Sequence, residues 1–285
     1  MTEKTVVITG ATAGIGFYSA LEIARLGAEV LIVGRNPARA EQAVKNIAQD
    51  TGNSKVAYLI GDVSTLDKLE QLGNDINQRV SRIDVLINNA GYLGNVLEYN
   101  QDGIEMHFAV NVLAPWKLTH ALLPALKSSH SPRVLNISGG DKPAAVDCAN
   151  LQAEKAFKGL MTYTHSKSIL EAMSIALAKR CESDGVCVNI VFPGRASTTM
   201  TRSLSAKGLP GPMKIMMPFF KVFFRADGGK SAWNASKSTV FAATDPSLEG
   251  ITGRYFNTHS KEEKLHPSSY DEAVHQQIID VIERY

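Results

Sequence analysis

The chain has 285 residues, 44% hydrophobic and 20% charged, with a formal net charge of +2. That is enough apolar material for a large core. There is neither the long apolar run of a membrane span nor the charge blocks of a nucleic-acid binder, so no nucleic acid is expected and a small molecule is the expected partner. Cys148, Cys181 and Cys187 form no CxxC pattern, which argues against a disulfide framework or a metal site and fits a reducing compartment.

Met1-Thr2-Glu3-Lys4 leads directly into an apolar run, leaving no room for a leader or anchor, so a cytoplasmic protein without a membrane span is expected. Short β-branched runs at 5–9, 29–33, 56–60, 85–88, 134–138 and 186–191 alternate with longer helical patterns. Val6-Val7-Ile8 and Val30-Leu31-Ile32-Val33 lack polar alternation, as strands buried on both faces of a parallel sheet do. Repeated βαβ units with right-handed crossovers predict an α/β fold. The expectation is a single doubly wound Rossmann-type domain over residues 1–285, with a parallel sheet, helices on both faces and ligands at the carboxyl ends of the strands.

After the first predicted strand comes Thr9-Gly10-Ala11-Thr12-Ala13-Gly14-Ile15-Gly16, followed by a helical stretch from Phe17 to Leu26. Gly10, Gly14 and Gly16, with Thr12 and Ile15 between them, suit a tight turn that approaches a pyrophosphate at a helix amino end. A merely packed turn is the plainer reading of the glycines alone. The second strand ends at Val33-Gly34-Arg35-Asn36, with Gly34 where an NAD-preferring protein places a carboxylate for the ribose hydroxyls. Arg35 offers a planar charged fork to a 2′-phosphate, so NADP is the expected cofactor, with Arg35 and Asn36 assigned to it. A solvated surface arginine is the alternative.

Tyr163 and Lys167 lie four residues apart on a helical stretch and rise from one face. A free phenol has a pKa of about 10, and a nearby ammonium favours the phenolate, so the two form a candidate proton-handling pair. From about 199 to 229 the βαβ pattern fails. Lys207-Gly208-Leu209-Pro210-Gly211-Pro212 breaks the chain, and Met213, Met216, Met217, Phe219, Phe220 and Phe223 crowd the residues after it. This segment reads as an apolar lid-like insertion. Core packing is an equal reading, and weak membrane-surface contact aided by Lys214, Lys221 and Arg225 is a third.

These motifs, with Asn88-Asn89-Ala90-Gly91, Asn111 and Pro193-Gly194 followed by Thr198, resemble the short-chain dehydrogenase/reductase family over nearly the whole chain. Asn150-Leu151-Gln152-Ala153-Glu154-Lys155 and the run 249–256 look like its retinol dehydrogenase and protochlorophyllide reductase branch. The resemblance implies NADP(H)-dependent hydride transfer to or from a carbonyl or alcohol carbon of a bulky apolar substrate. By the same resemblance Tyr163 is the proton donor, Lys167 lowers its pKa and binds the nicotinamide ribose, and Asn111 holds a relay water. Asp62 and Val63 would border the adenine, Asn89, Ala90 and Gly91 the cofactor cleft, and Pro193, Gly194 and Thr198 the nicotinamide end. A homo-oligomer is compatible with the sequence.

The family commonly ends its fifth strand with two serines, the second catalytic, whereas this chain has Ser138 and then Gly139. Ser138 is assigned as the catalytic hydroxyl, with Asp141, Thr162 or a water as alternatives. The matter affects rate, because one hydrogen bond to a developing oxyanion is worth about 3 kcal/mol. Gly139 also motivates a second reading, an NADP-binding protein without net redox turnover: a sensor, a partner-binding module, or a non-redox isomerase or cyclase.

Overall fold

A computed structural model of the chain describes residues 1–140, 143–205, 207, 209 and 227–285. Strands β1 (Thr5–Thr9), β2 (Glu29–Gly34), β3 (Val56–Ile60), β4 (Val85–Asn88), β5 (Arg133–Ile137), β6 (Cys187–Val191), β7 (Tyr255–Phe256) and β8 (Glu262–Glu263) form one sheet in the order β3-β2-β1-β4-β5-β6-β7-β8. Every neighbouring pair is parallel except β7 and β8, which are antiparallel. The expected wholly parallel sheet is therefore mixed at one edge. A short connection between two-residue strands can only reverse direction, since a parallel return needs a long crossover.

The helices are α1 (Gly14–Arg25), α2 (Pro37–Thr51), α3 (Leu66–Arg79), α4 (Met106–Phe108), α5 (Ala114–Ala121), α6 (Leu123–Lys127), α7 (Leu160–Cys181), α8 (Thr199–Arg202), α9 (Lys230–Thr244) and α10 (Glu272–Ile282). Between α4 and α5, Ala109–Leu113 is π-helical. Alternate strand residues face opposite layers. Val7, Leu31, Leu86, Val134 and Val188 share a core with residues of α3, α5, α7 and α10. Val6, Ile8, Val30, Ile32, Val85 and Ile87 share the other with residues of α1, α2 and α9. The edge strands are exceptions to burial on both faces: in β3 Tyr58 and Ile60 are exposed while Ala57 and Leu59 pack inward, and both residues of β8 are exposed.

Asp84 pins the amino ends of the central strands. Its buried carboxylate accepts hydrogen bonds from the Thr5 backbone at 2.9 Å and the Ser129 hydroxyl at 2.6 Å, with Lys4 3.1 Å away. Burial alone would raise its pKa, but these hydrogen bonds outweigh burial and hold it below the usual value. A depressed folded pKa contributes stability above the unfolded value of about 4, and that stability is lost as pH falls through the folded value. Asp84→Asn is expected to cost about 2 kcal/mol at pH 7 in urea unfolding, by loss of charge-assisted hydrogen bonds. The deficit should shrink on acidification below about pH 4.

Candidate active site

The carboxyl ends of β1, β4, β5 and β6 open onto a cavity of about 1510 Å³. At one end lies the turn from β1 into α1. Ala13 is the N-cap of α1, it offers no side-chain cap, and the first turn carries no acidic residue. Among the described residues the first amides of α1 therefore have no side-chain acceptor, and Ala13, Gly14, Ile15 and Gly16 line the cavity, as an anion site requires. Asn89 ties this turn to β4, its side-chain amide donating to the Thr9 carbonyl at 2.9 Å and the Gly10 carbonyl at 3.1 Å. Gly10, Thr12, Ala90 and Gly91 line the same wall.

At the end of β2 the structure explains why no carboxylate stands at position 34. A Cβ on Gly34 would lie 2.3 Å from the Thr12 methyl, so an acidic side chain there would have to displace the Thr12 side chain. Arg35 lines the cavity mouth and is exposed. Asn36 has a structural duty at this corner. It does not line the cavity, and its Oδ1 accepts the Arg39 backbone N–H at 3.0 Å as the N-cap of α2. Asp62 and Val63 do line the cavity, and Asp62 also accepts from Ser64 N at 3.1 Å and Lys68 Nζ at 2.9 Å. Those bonds outweigh burial and lower its pKa.

The other end belongs to α7. The Tyr163 side chain sits in an apolar cluster with Leu93, Leu204 and Leu209, against which Leu160 and Met200 pack. Its ring lies 6.5 Å from that of buried His107, which itself is fixed by Glu105 at 2.6 Å and by the Gly94 N–H at 3.1 Å. Burial pushes the phenol up to about 12. Lys167 Nζ stands 5.9 Å from the centre of the Tyr163 ring and donates to the Ile137 carbonyl at 2.9 Å. Burial brings its pKa down to about 8, against the pull of the Glu171 charge. Pro193, Gly194 and Thr198 line this end, and Thr198 caps α8 by accepting Thr201 N.

Two assigned residues have other duties. The Ser138 hydroxyl donates to Glu171 Oε1 at 2.5 Å, so Ser138 does not supply a hydroxyl beside Tyr163 in this arrangement. Position 139 faces the phenol instead: a Cβ on Gly139 would be 2.4 Å from the Tyr163 oxygen. Successive residues leaving a strand point to opposite sides, and Gly139 turns toward the cavity where it brings no side chain. The Asn111 side chain is fully buried. It accepts from Tyr92 N at 2.8 Å and donates to the Tyr92 carbonyl at 3.0 Å and Ser166 Oγ at 2.8 Å. Both amide protons are thereby committed, and the side chain clamps the loop after β4 to α7.

Sequence reasoning did not find the apolar wall, which includes Leu93, Met106, Val110, Leu160, Met161, Met200 and Leu204. No pattern marks these residues, because they converge from separate loops and helices. Of the lid-like insertion, residues 206, 208 and 210–226 lie outside those described, as does Asp141. The described start of the segment contributes Met200 and Leu204 to the cavity.

The short chain dehydrogenase family model matches residues 4–208, and the chain belongs to that oxidoreductase family. Within it the chain falls in the retinol dehydrogenase branch. Mouse retinol dehydrogenase 14 is 33% identical over 99% of this chain and 86% of its own length. Human polyprenol dehydrogenase is 30% identical over 97% of this chain and 83% of its own. Among solved structures, a short chain dehydrogenase from Shigella flexneri complexed with NADP is 26% identical, with a TM-score of 0.68 over 91% of this chain and 98% of that one. Among the described residues no helix is long and apolar enough to cross a membrane.

Proposed function

We propose that the chain is an NADP(H)-dependent oxidoreductase that transfers hydride between the nicotinamide and a carbonyl or alcohol carbon of a bulky apolar small molecule. The observation that carries this reading is the Tyr163 phenol, neutral and set in an apolar cluster, at one end of a cavity whose other end is the uncapped start of α1. The amides of 13–16 suit the pyrophosphate and Arg35 a 2′-phosphate. Asp62 and Val63 suit the adenine, Asn89 to Gly91 the cleft, and Lys167 the nicotinamide ribose. Bound there, NADPH supplies the hydride.

The remaining chemistry falls to the protein. Tyr163 donates its proton to the substrate oxygen as negative charge builds there, and the Lys167 ammonium stabilises the phenolate left behind. Leu93, Leu160, Met200 and Leu204 favour an apolar substrate by burying its surface. NADPH consumption against a panel of apolar aldehydes and ketones tests the reading, and no turnover with any of them would overturn it.

Arg35→Ser is expected to weaken NADPH binding by about 2 kcal/mol, roughly 30-fold, through loss of a charge-assisted contact. NADH affinity should be unchanged, and fluorescence titration with each cofactor reads the difference. Gly139, which offers no hydroxyl beside Tyr163, is the observation favouring the second reading, a protein that binds NADP without net redox turnover. Tight NADPH binding with no hydride transfer, joined to a cofactor-dependent rearrangement or partner interaction, would replace the first reading with this one.

A further inference from the structure

Glu171 lies on α7 one turn beyond Lys167, and only 3% of it is exposed. Oε1 accepts the Ser138 hydroxyl at 2.5 Å, while Oε2 has no hydrogen-bond partner among the described residues. A buried carboxyl so sparsely bonded is unfavourable unless something nearby uses its charge. The i, i+4 spacing sets it on the same helix face as Lys167, whose buried ammonium has one described hydrogen bond, to the Ile137 carbonyl at 2.9 Å. The end of β5 thus serves both groups through consecutive residues, the Ile137 carbonyl toward the ammonium and the Ser138 hydroxyl toward the carboxyl.

We propose that Glu171, held by Ser138, is the counter-ion of Lys167 and a positioning residue for the site, keeping the lysine charged without itself touching substrate. Among the described residues, Glu171 accepts the Ser138 hydroxyl from the end of β5, and its charge acts on Lys167 of α7 and on the Tyr255 phenol of β7. Burial outweighs the Ser138 hydrogen bond and the Lys167 charge, which both lower the pKa, and leaves Glu171 raised to about 7. Burial likewise pulls Lys167 down, and Glu171 opposes that fall. Each group therefore favours the charged form of the other. The Ser138 hydroxyl, whose proton goes to Glu171, has its use here.

The inference rests on the catalytic reading of Lys167, so its test needs neither substrate nor cofactor. In protein labelled with ¹³C at the lysine ε-carbons, the Lys167 signal is assigned by its loss in Lys167→Arg and titrated against pH. Glu171→Gln keeps the shape and an acceptor for Ser138 but removes the charge. Its Lys167 midpoint is expected about one pH unit below that of the unmodified chain. An unchanged midpoint in folded Glu171→Gln overturns the proposal. Should that variant not fold, Ser138→Ala takes its place: it leaves Glu171 more readily protonated and should move the Lys167 midpoint the same way by less, and no movement overturns the proposal equally. A shifted midpoint in a protein that shows no NADPH turnover with any apolar carbonyl supports the counter-ion and overturns the reductase reading alone.

Discussion

Tyr163→Phe is expected to reduce NADPH-dependent turnover by about 10³-fold while leaving NADPH binding nearly unchanged. On the proposed function the phenol is the acid of the site, because it combines a proton with burial at the cavity wall. Burial pushes its pKa up to about 12, so the group stays protonated through the neutral range. Lys167, brought down to about 8, is an ammonium below that pH and offsets the charge Tyr163 acquires on giving up its proton. Phenylalanine preserves the ring that packs on Leu93 and Leu204 and meets the edge of His107, so the fold and the walls of the cavity should survive. Only the hydroxyl is lost. Stopped-flow measurement of NADPH oxidation, beside a fluorescence titration of NADPH binding, separates the two quantities. Equal turnover in the variant would remove Tyr163 from the chemistry.

The sheet was legible because β1, β2 and β4 are built on the continuous apolar runs 6–8, 30–33 and 85–87, a pattern imposed by helices on both faces. Strands β7 and β8 have two residues each, too few for any period to register. The turn from Gly10 to Gly16 and the spacing of Tyr163 and Lys167 were legible for a related reason. Their geometry is local, set within one turn or one helix face. The duties of Ser138, Asn36 and Asn111 were not. Ser138 finds its acceptor 33 residues away on α7, and Asn111 reaches partners 19 and 55 residues distant. A polar side chain is defined by the partner that tertiary packing brings to it, and neighbouring residues do not encode that choice. Asn36 was the local exception, an N-cap immediately before Pro37 whose nearness to Arg35 made it resemble a cofactor contact. The apolar wall was invisible for the opposite reason: Leu and Met are ordinary core residues until a cavity opens beside them.

Gly139→Ala is expected to lower turnover by about 10²-fold without weakening NADPH binding. A Cβ at this position would lie 2.4 Å from the Tyr163 oxygen, 3.2 Å from its ring carbon Cζ and 3.4 Å from Lys167 Cγ. The first of these is closer than atoms can stand. The backbone of β5 is held by its pairing with β4 and β6, and the lysine stem closes the space on one side, so the end of the phenol is what yields. Ordinary contact requires it to move about 1 Å, and a displacement of that size at a reacting group suffices for a 10²-fold loss. Gly139→Ser imposes the same Cβ together with a hydroxyl suited to polarising a substrate oxygen. If placement of the phenol dominates, both variants should fall below the unmodified chain in kcat, the serine variant falling less. Serine raising kcat above that of the unmodified chain would show that the phenol yields at little cost. It would show equally that the missing hydroxyl, rather than the placement of Tyr163, limits the rate.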